Sequence, residues 1–368
     1  MKTKDLIPLL LLVFVPVSAA ADFLQWGSTA VFITSALAIA PLSIWLSTAT
    51  EKIAIFTGPS IGGLVNALFG NATELVIALV ALRAGLIDIV QASITGTILS
   101  DLLVLMGLAM FSGGLRYKEQ EFKPILTRVN GSSITLAVIA IALPTLVIST
   151  SGRFDVVDIP DISIATATVL MVVYGLTLLF SLKTHSYLYD VGLADEDLMD
   201  SPDGFHEGLT QNSKTTKLAI WIGVLLLSTI TVAFESDLFV SVVEPETERL
   251  GLTPLFTGVI LIPFVTDIAS FVTVTRLAIK NQMDLTIATA TGDSLLIALF
   301  VAPVLVFVGQ FIGQPLDLNF NPFEVAALAI AVSVTNLISS GGRSNWLDGA
   351  LLLATYLLLG VAFYYHPA

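Results

Sequence analysis

The run Gly70-Asn71-Ala72-Thr73-Glu74-Leu75 lies inside an apolar stretch, residues 61–82. An acid at such depth in a hydrophobic segment is costly in lipid and marks an ion or proton pathway. Asn71 and Thr73 add neutral oxygens beside Glu74, and Gly70 lets a helix open or be approached closely. Oxygen donors around a carboxylate suit a hard cation or a proton. The pattern returns 196 residues later: Thr57 falls on Thr253, Gly62 on Gly258, Asp88 on Asp284, Ala92 on Ala288, and Thr95-Gly96 on Thr291-Gly292. One ungapped offset over about forty residues is an internal repeat. Two copies of a membrane segment, each interrupted by Gly or Pro and carrying acids, are the pattern of a secondary transporter.

The repeats do not carry identical chemistry. At the same offset Asn71 falls on Asp267 and Glu74 on Ser270. Asp101 and Asp293 lie on the segments that follow. Glu74, Asp267, Asp101 and Asp293 are the expected metal and proton ligands, with Asn71, Thr73, Ser270 and Thr97 as neutral donors. Four carboxylates on a dry midplane cannot all be ionised without a cation, so some hold protons when no metal is bound. That is the physical basis of exchange. The plainer alternatives are acids that cap helix breaks, and small polar residues, with Gln91, that pack helix interfaces. Asp88, Asp284 and Asp348 lie near segment ends and read as caps or gate acids.

These residues need a scaffold, and the composition supplies a membrane one. The 368 residues are 55% hydrophobic and 12% charged, with mean hydropathy +0.90. Eleven apolar runs reach or approach spanning length: 6–21, 28–48, 61–82, 89–112, 131–150, 160–182, 217–235, 253–279, 285–312, 322–340 and 346–365. Their length predicts an all-α polytopic membrane protein. With the N-terminus inside, Lys2, Lys4, Lys52, Arg116, Lys118, Lys123, Arg128, Lys183, Lys214, Lys217, Arg276, Lys280 and Arg343 fall inside, and only Arg83, Arg153 and Arg249 outside. The expected arrangement is an N-terminal helix (1–22), a five-helix repeat (23–182), an acidic cytoplasmic linker (183–216) and a second five-helix repeat (217–368). Five being odd, the repeats are inverted, with the site where they meet. The first run also reads as a cleavable signal peptide ending at Ser18-Ala19-Ala20-Ala21. The linker carries seven acids between Asp190 and Glu207 and no Lys or Arg there; it reads as a solvated connector, or as a cation sensor.

Other classes are excluded or weakened. There is no cysteine, and His185, His206 and His366 lie outside the apolar runs, so no thiolate or imidazole metal centre sits at depth. A net charge of −13 argues against nucleic acid. No phosphate-binding loop or hydrolytic constellation is present, so neither a cofactor nor enzymatic activity is expected.

Residues Gly58-Pro59-Ser60-Ile61-Gly62-Gly63-Leu64-Val65-Asn66-Ala67, Gly70–Leu75, Gly96-Thr97-Ile98-Leu99-Ser100-Asp101, Lys280-Asn281-Gln282-Met283-Asp284-Leu285 and Ser344-Asn345-Trp346-Leu347-Asp348-Gly349 closely resemble the signature segments of Ca²⁺/H⁺ exchangers, in the calcium/cation antiporter superfamily. The likeness runs along essentially the whole chain. It implies exchange of Ca²⁺ for H⁺ or Na⁺ by alternating access, with helices 2 and 7 sliding against a core of helices 3, 4, 8 and 9. The second signature departs from the family. Where the family has G-N-A-A-E-H, this chain has Thr266, Asp267, Ile268, Ala269, Ser270 and Phe271. Where it has G-S-S, this chain has Gly292-Asp293-Ser294, and the family's S-N is Ser100-Asp101. Asp267 is thereby expected to stand in for the missing glutamate. The rewritten repeat keeps two rivals in play: a monovalent-cation/H⁺ exchanger of the same fold, and a channel or cation sensor without coupled transport. The expected partners are the lipid bilayer and inorganic cations, and the sequence leaves a homo-oligomer open. The expected location is the plasma (inner) membrane of a prokaryote, N-terminus cytoplasmic and C-terminus outside.

Overall fold

The computed structural model describes residues 9–151, 158–188 and 211–366. In chain order the helices are α1 (Phe14–Phe23), α2 (Ser28–Thr57), α3 (Pro59–Phe69), α4 (Ala72–Arg83), α5 (Ile87–Tyr117), α6 (Pro124–Ser151), α7 (Asp158–Leu179), α8 (Gln211–Arg249), α9 (Pro254–Thr266), α10 (Ile268–Ile279), α11 (Met283–Ile312), α12 (Pro322–Ser339) and α13 (Trp346–Tyr365). Eight of the described helices are long and apolar enough to cross a membrane, or nine if α9 and α10, bent by 60° at Asp267, form one span. The two remaining runs of the expected eleven are a short helix, Leu9–Phe23, and the pair α3 and α4, divided at Gly70-Asn71. The acidic stretch Asp190–Glu207 lies outside the described residues.

The helix boundaries follow the repeat. Adding 196 to the bounds of α4 gives those of α10, and α5 and α11 begin at the matching residues Ile87 and Met283. Both signature segments break at the same place: Asn71 leaves helical geometry at φ −118°, ψ 42°, and Asp267 at φ −89°, ψ 8°. The following helices each contain a π-helical turn, Ser100–Leu105 in α5 and Ile297–Val301 in α11. Such turns shift the register of side chains and recur at functional sites.

Burial ranks the helices. In α5, 89% of the most apolar window is buried and in α11 61%, against 22% in α7 and α8. α5 and α11 therefore form the centre, and α7 and α8 present Val169, Leu176, Leu227 and Ile230 outward. α8 extends well past the apolar run ending at 235, to Arg249, because Phe234–Glu246 packs against α2 and α1. Phe32 stacks on Phe239 at 5.2 Å, and Ser28 and Thr29 donate to the Glu246 carboxylate at the start of α2, where helix polarity favours an anion. Ser18 on α1 donates to Glu235 on α8 at 2.7 Å. A two-stranded antiparallel ribbon, β1 (Glu119–Glu121) with β2 (Arg343–Asn345), ties the link between α5 and α6 to the link between α12 and α13.

Asp284 and Asp348 are end residues in the structure as well. Asp284 accepts from the Lys123 backbone N–H at 2.5 Å, and Asp348 completes a capping box with Asn345 at the start of α13.

Candidate cation site

Both helix breaks deliver acids to one place. Glu74 sits in the first turn of α4, and Asp267 occupies the junction that opens α10, so each lies at a helix N-terminus within the bundle. Unpaired N–H groups at such ends favour negative charge. Asp101 is the second residue of the π turn of α5, and Asp293 lies about one helical turn before that of α11. The four carboxylates interact through space: Glu74 with Asp267 and Asp293, and Asp101 with Asp267, Asp293 and Glu74. Asp101 is 2% exposed and Asp267 3%, while Glu74 and Asp293 are partly accessible.

The neutral donors divide. Asn71 Nδ2 donates to the Asp293 backbone oxygen at 3.3 Å and so joins the first break to α11. Ser270 stands beside the Asp293 carboxyl of the neighbouring helix. Thr97 Oγ1 donates to the Ser93 carbonyl of its own helix at 3.0 Å, and Thr73 is buried at the break. Gln91 bonds outside this centre, to the backbone and side chain of Asp317.

Three residues join the centre that the sequence reading left out. Thr266 Oγ1 donates to Asp267 Oδ1 at 2.8 Å, Ser294 Oγ donates to Asp101 Oδ2 at 3.3 Å, and Ser100 stands beside Asp267. Ser100 and Ser294 adjoin signature acids, and that adjacency was the available signal. Asp267 Oδ2 and Ser100 Oγ are buried without a well-formed hydrogen bond. Unsatisfied oxygens inside a protein are costly unless a proton, water or cation completes them. Among the described residues no three acids are clustered as a closed metal cage. Oxygens from the broken backbone and the hydroxyls would have to complete a coordination shell.

The two faces of the site are built differently. β-Carbons at Gly96 and Gly258 would run into the backbone of the opposing helix, so α5 and α9 cross in direct contact. The related pair at the other face is Gly292 and Gly62. There a β-carbon at Gly292, next to Asp293, would meet open space, and Gly62 packs instead against Ala54 of α2. One crossing is shut and its counterpart is not.

Residues 27–183 and 220–365 match the family described as sodium/calcium exchanger protein. The chain belongs to the sodium/calcium exchanger protein family. Among relatives, a protein of Aphanothece halophytica named Ca(2+)/H(+) antiporter is 52% identical, over 100% of this chain and 98% of its own length. A Ca(2+)/H(+) antiporter of Synechocystis sp. is 51% identical over 100% and 99%. The solved structure of native YfkE is 32% identical and covers 97% of this chain and 99% of its own, with a TM-score of 0.81. Membership of the exchanger family makes this chain an integral membrane transporter and places the broken helices and their acids in a family setting. The family match takes in both signature repeats, including the altered second one.

Proposed function

We propose that this protein is a Ca²⁺/H⁺ antiporter that works by alternating access. The carrying observation is the meeting of Glu74, Asp101, Asp267 and Asp293, two from each repeat, at two helix breaks inside an apolar bundle. The full-length likeness to proteins named Ca(2+)/H(+) antiporters supports the same reading. A divalent cation entering this centre balances the carboxylates; when it leaves, protons take its place, because so many negative charges in a poorly solvated site repel one another. Glu74, Asp101, Asp267 and Asp293 are the proposed cation and proton ligands, assisted by Asn71, Thr73, Ser270 and Thr97.

In this reading the chain has eleven spans, one N-terminal helix plus two inverted repeats of five, joined by the linker at 183–216. The N-terminus is cytoplasmic and the C-terminus outside, in the plasma membrane of a prokaryote. The open crossing at Gly292 then faces the cytoplasm, and the closed one at Gly96 and Gly258 faces outward. The α2–α8 pair, pinned together and lying at the periphery, is the part free to slide.

The test is flux in proteoliposomes with imposed H⁺ or Na⁺ gradients, screening Ca²⁺, Mg²⁺, Mn²⁺, Na⁺ and K⁺. Uphill Ca²⁺ movement driven by a proton gradient is the expected result. Dissipation of any imposed gradient without coupling would instead identify a channel, and Na⁺-driven or monovalent exchange would identify the rival exchanger.

A further inference from the structure

A second buried carboxyl lies apart from the four at the centre. Glu324, the third residue of α12, is 3% exposed. Its Oε2 accepts the Asn321 backbone N–H at 3.0 Å in a capping box, while Oε1 is buried without a well-formed hydrogen bond. Thr95 of α5 stands beside this carboxyl, fully buried, and its Oγ1 also lacks a well-formed bond. Asp88, in the first turn of α5, is near enough to act on Glu324 electrostatically. Other titratable groups at this end include Asp317, held by Gln91, His366, whose ring stacks on Phe323 at 5.0 Å, and the exposed Asp161 of α7, two residues before Ser163, which accepts the Leu318 N–H at 2.9 Å. The adjoining end of α6 brings Thr145, bonded to the Phe320 carbonyl at 3.1 Å, and no charge.

The repeat shows that this arrangement is specific to one face. Thr95 corresponds to Thr291, and Thr291 is fully bonded: it donates to the Ile287 carbonyl at 2.7 Å and accepts from Asn130 Nδ2 of α6 at 2.8 Å. The place taken by a neutral amide at one face is taken by an acid at the other. A proton arriving from water on Oε1 forms an O–H that donates to Thr95 Oγ1. When that proton leaves, the Thr95 hydroxyl donates back to the carboxylate. The pair has a bonded arrangement in either state, and the cap through Oε2 is untouched.

We propose that Glu324 is a proton-binding site separate from the four-carboxylate centre, and that it sets the pH dependence of exchange from the face on which α5 and α12 begin. This rests on the exchange reading above. The experiment uses full-length protein in proteoliposomes of uniform orientation, with pH varied separately on each side and Ca²⁺ flux recorded. Glu324→Gln keeps an oxygen for the cap but cannot titrate. Its rate profile against pH on that face is expected to move by about one unit or more, or to flatten, with the profile on the other face unchanged. Thr95→Val leaves cap and carboxyl in place and is expected to move the same profile; it decides the matter if Glu324→Gln does not fold. Unchanged profiles, or equal changes on both faces, would overturn the proposal and leave Glu324 as a cap. Infrared difference spectra of the Ca²⁺-free protein provide a reading independent of transport. A protonated-carboxyl band that titrates in the wild type and is lost in Glu324→Gln supports the site even if wild-type flux shows no Ca²⁺/H⁺ coupling, which would sink only the exchange reading. Absence of that band overturns the site.

Discussion

At the scale of single residues, the proposed reading of the altered second signature is a redistribution of charge between neighbouring helices. Ser270 holds the place where the resemblance to Ca²⁺/H⁺ exchangers implies a glutamate, and Asp293 stands beside it from α11. Asp267 interacts with Glu74 across the two breaks. Losing one member of a buried charged set costs about 2–5 kcal/mol, or between one and four decades in binding. Glu74→Gln and Asp267→Asn are each expected to abolish measurable Ca²⁺/H⁺ exchange, whereas Ser270→Ala is mild, as proteoliposome flux will read. Ser270→Glu alone sets a fifth carboxylate against Asp293 and is expected to inactivate. Combined with Asp293→Ser, it moves the acid from 293 to 270 at constant charge and is expected to recover exchange. Equal activity of Ser270→Glu with and without the second change would show that the charge at 293 does not replace one at 270. The identity of the acids was legible in the sequence, because charges inside long apolar runs are few. Their hydroxyl partners were not, because Ser and Thr are common at helix interfaces and only geometry separates Thr266 or Ser294, bonded to carboxylates, from Thr97, bonded to its own helix.

At the scale of elements, the glycines record which crossing is shut. Gly96 and Gly258 need the absence of a side chain now, and Gly292 does not. If the molecule alternates, the face at Gly292 must close as the other opens. Gly292→Ala is therefore expected to fold normally and bind Ca²⁺ from the open face, yet lose exchange by an order of magnitude or more, because the opposite state is blocked. Gly258→Ala is expected to disfavour the present state instead, and to slow exchange by the converse block, as the same flux assay will read. Exchange at wild-type rate in Gly292→Ala would refute closure at that crossing. The sequence announced these glycines through the repeat, since identical residues recurred 196 positions apart. It could not say that one pair was engaged and the other idle: a repeat encodes both halves alike, and the difference is conformational. The run 217–235 likewise gave only the apolar part of α8; the helix continues because Glu235, Ser236 and Glu246 are buried against α1 and α2, which hydropathy alone reads as the onset of a loop.

At the scale of the whole molecule, the proposed orientation rests on the distribution of basic residues. Lys118 precedes the ribbon formed by β1 and β2, and Glu248 lies at the far end of α8 from the linker. Because the chain holds no cysteine, Lys118→Cys and Glu248→Cys can each be labelled without background. An impermeant maleimide is expected to reach Glu248→Cys from outside intact cells and Lys118→Cys only after the membrane is opened. Labelling of both from the same side would contradict the inverted arrangement of the two halves. The mainly helical membrane class was readable from composition and run length, but hydropathy marked only the apolar part of the longer helices, as where the run 28–48 continues to Thr57 in α2. The division of α3 from α4 and the bend at Asp267 were marked only indirectly, by the Gly70-Asn71 pair and by the offset that sets Asp267 on Asn71.

The pin between Ser18 and Glu235 bears on the order in which the protein is made. Glu235 is a fully buried acid near the middle of α8, and an ionisable side chain at such a depth resists partition from the translocation machinery into lipid, by about 2.5–3.5 kcal/mol for Asp at a helix centre. Its hydroxyl partner lies 217 residues earlier in the chain, on a segment synthesised long before α8 emerges. With α2 already beside it, α1 offers the arriving helix a polar foothold and a small-residue surface at Ala21. Ser18 on α1 is therefore already in the chain to receive this buried acid when α8 is made.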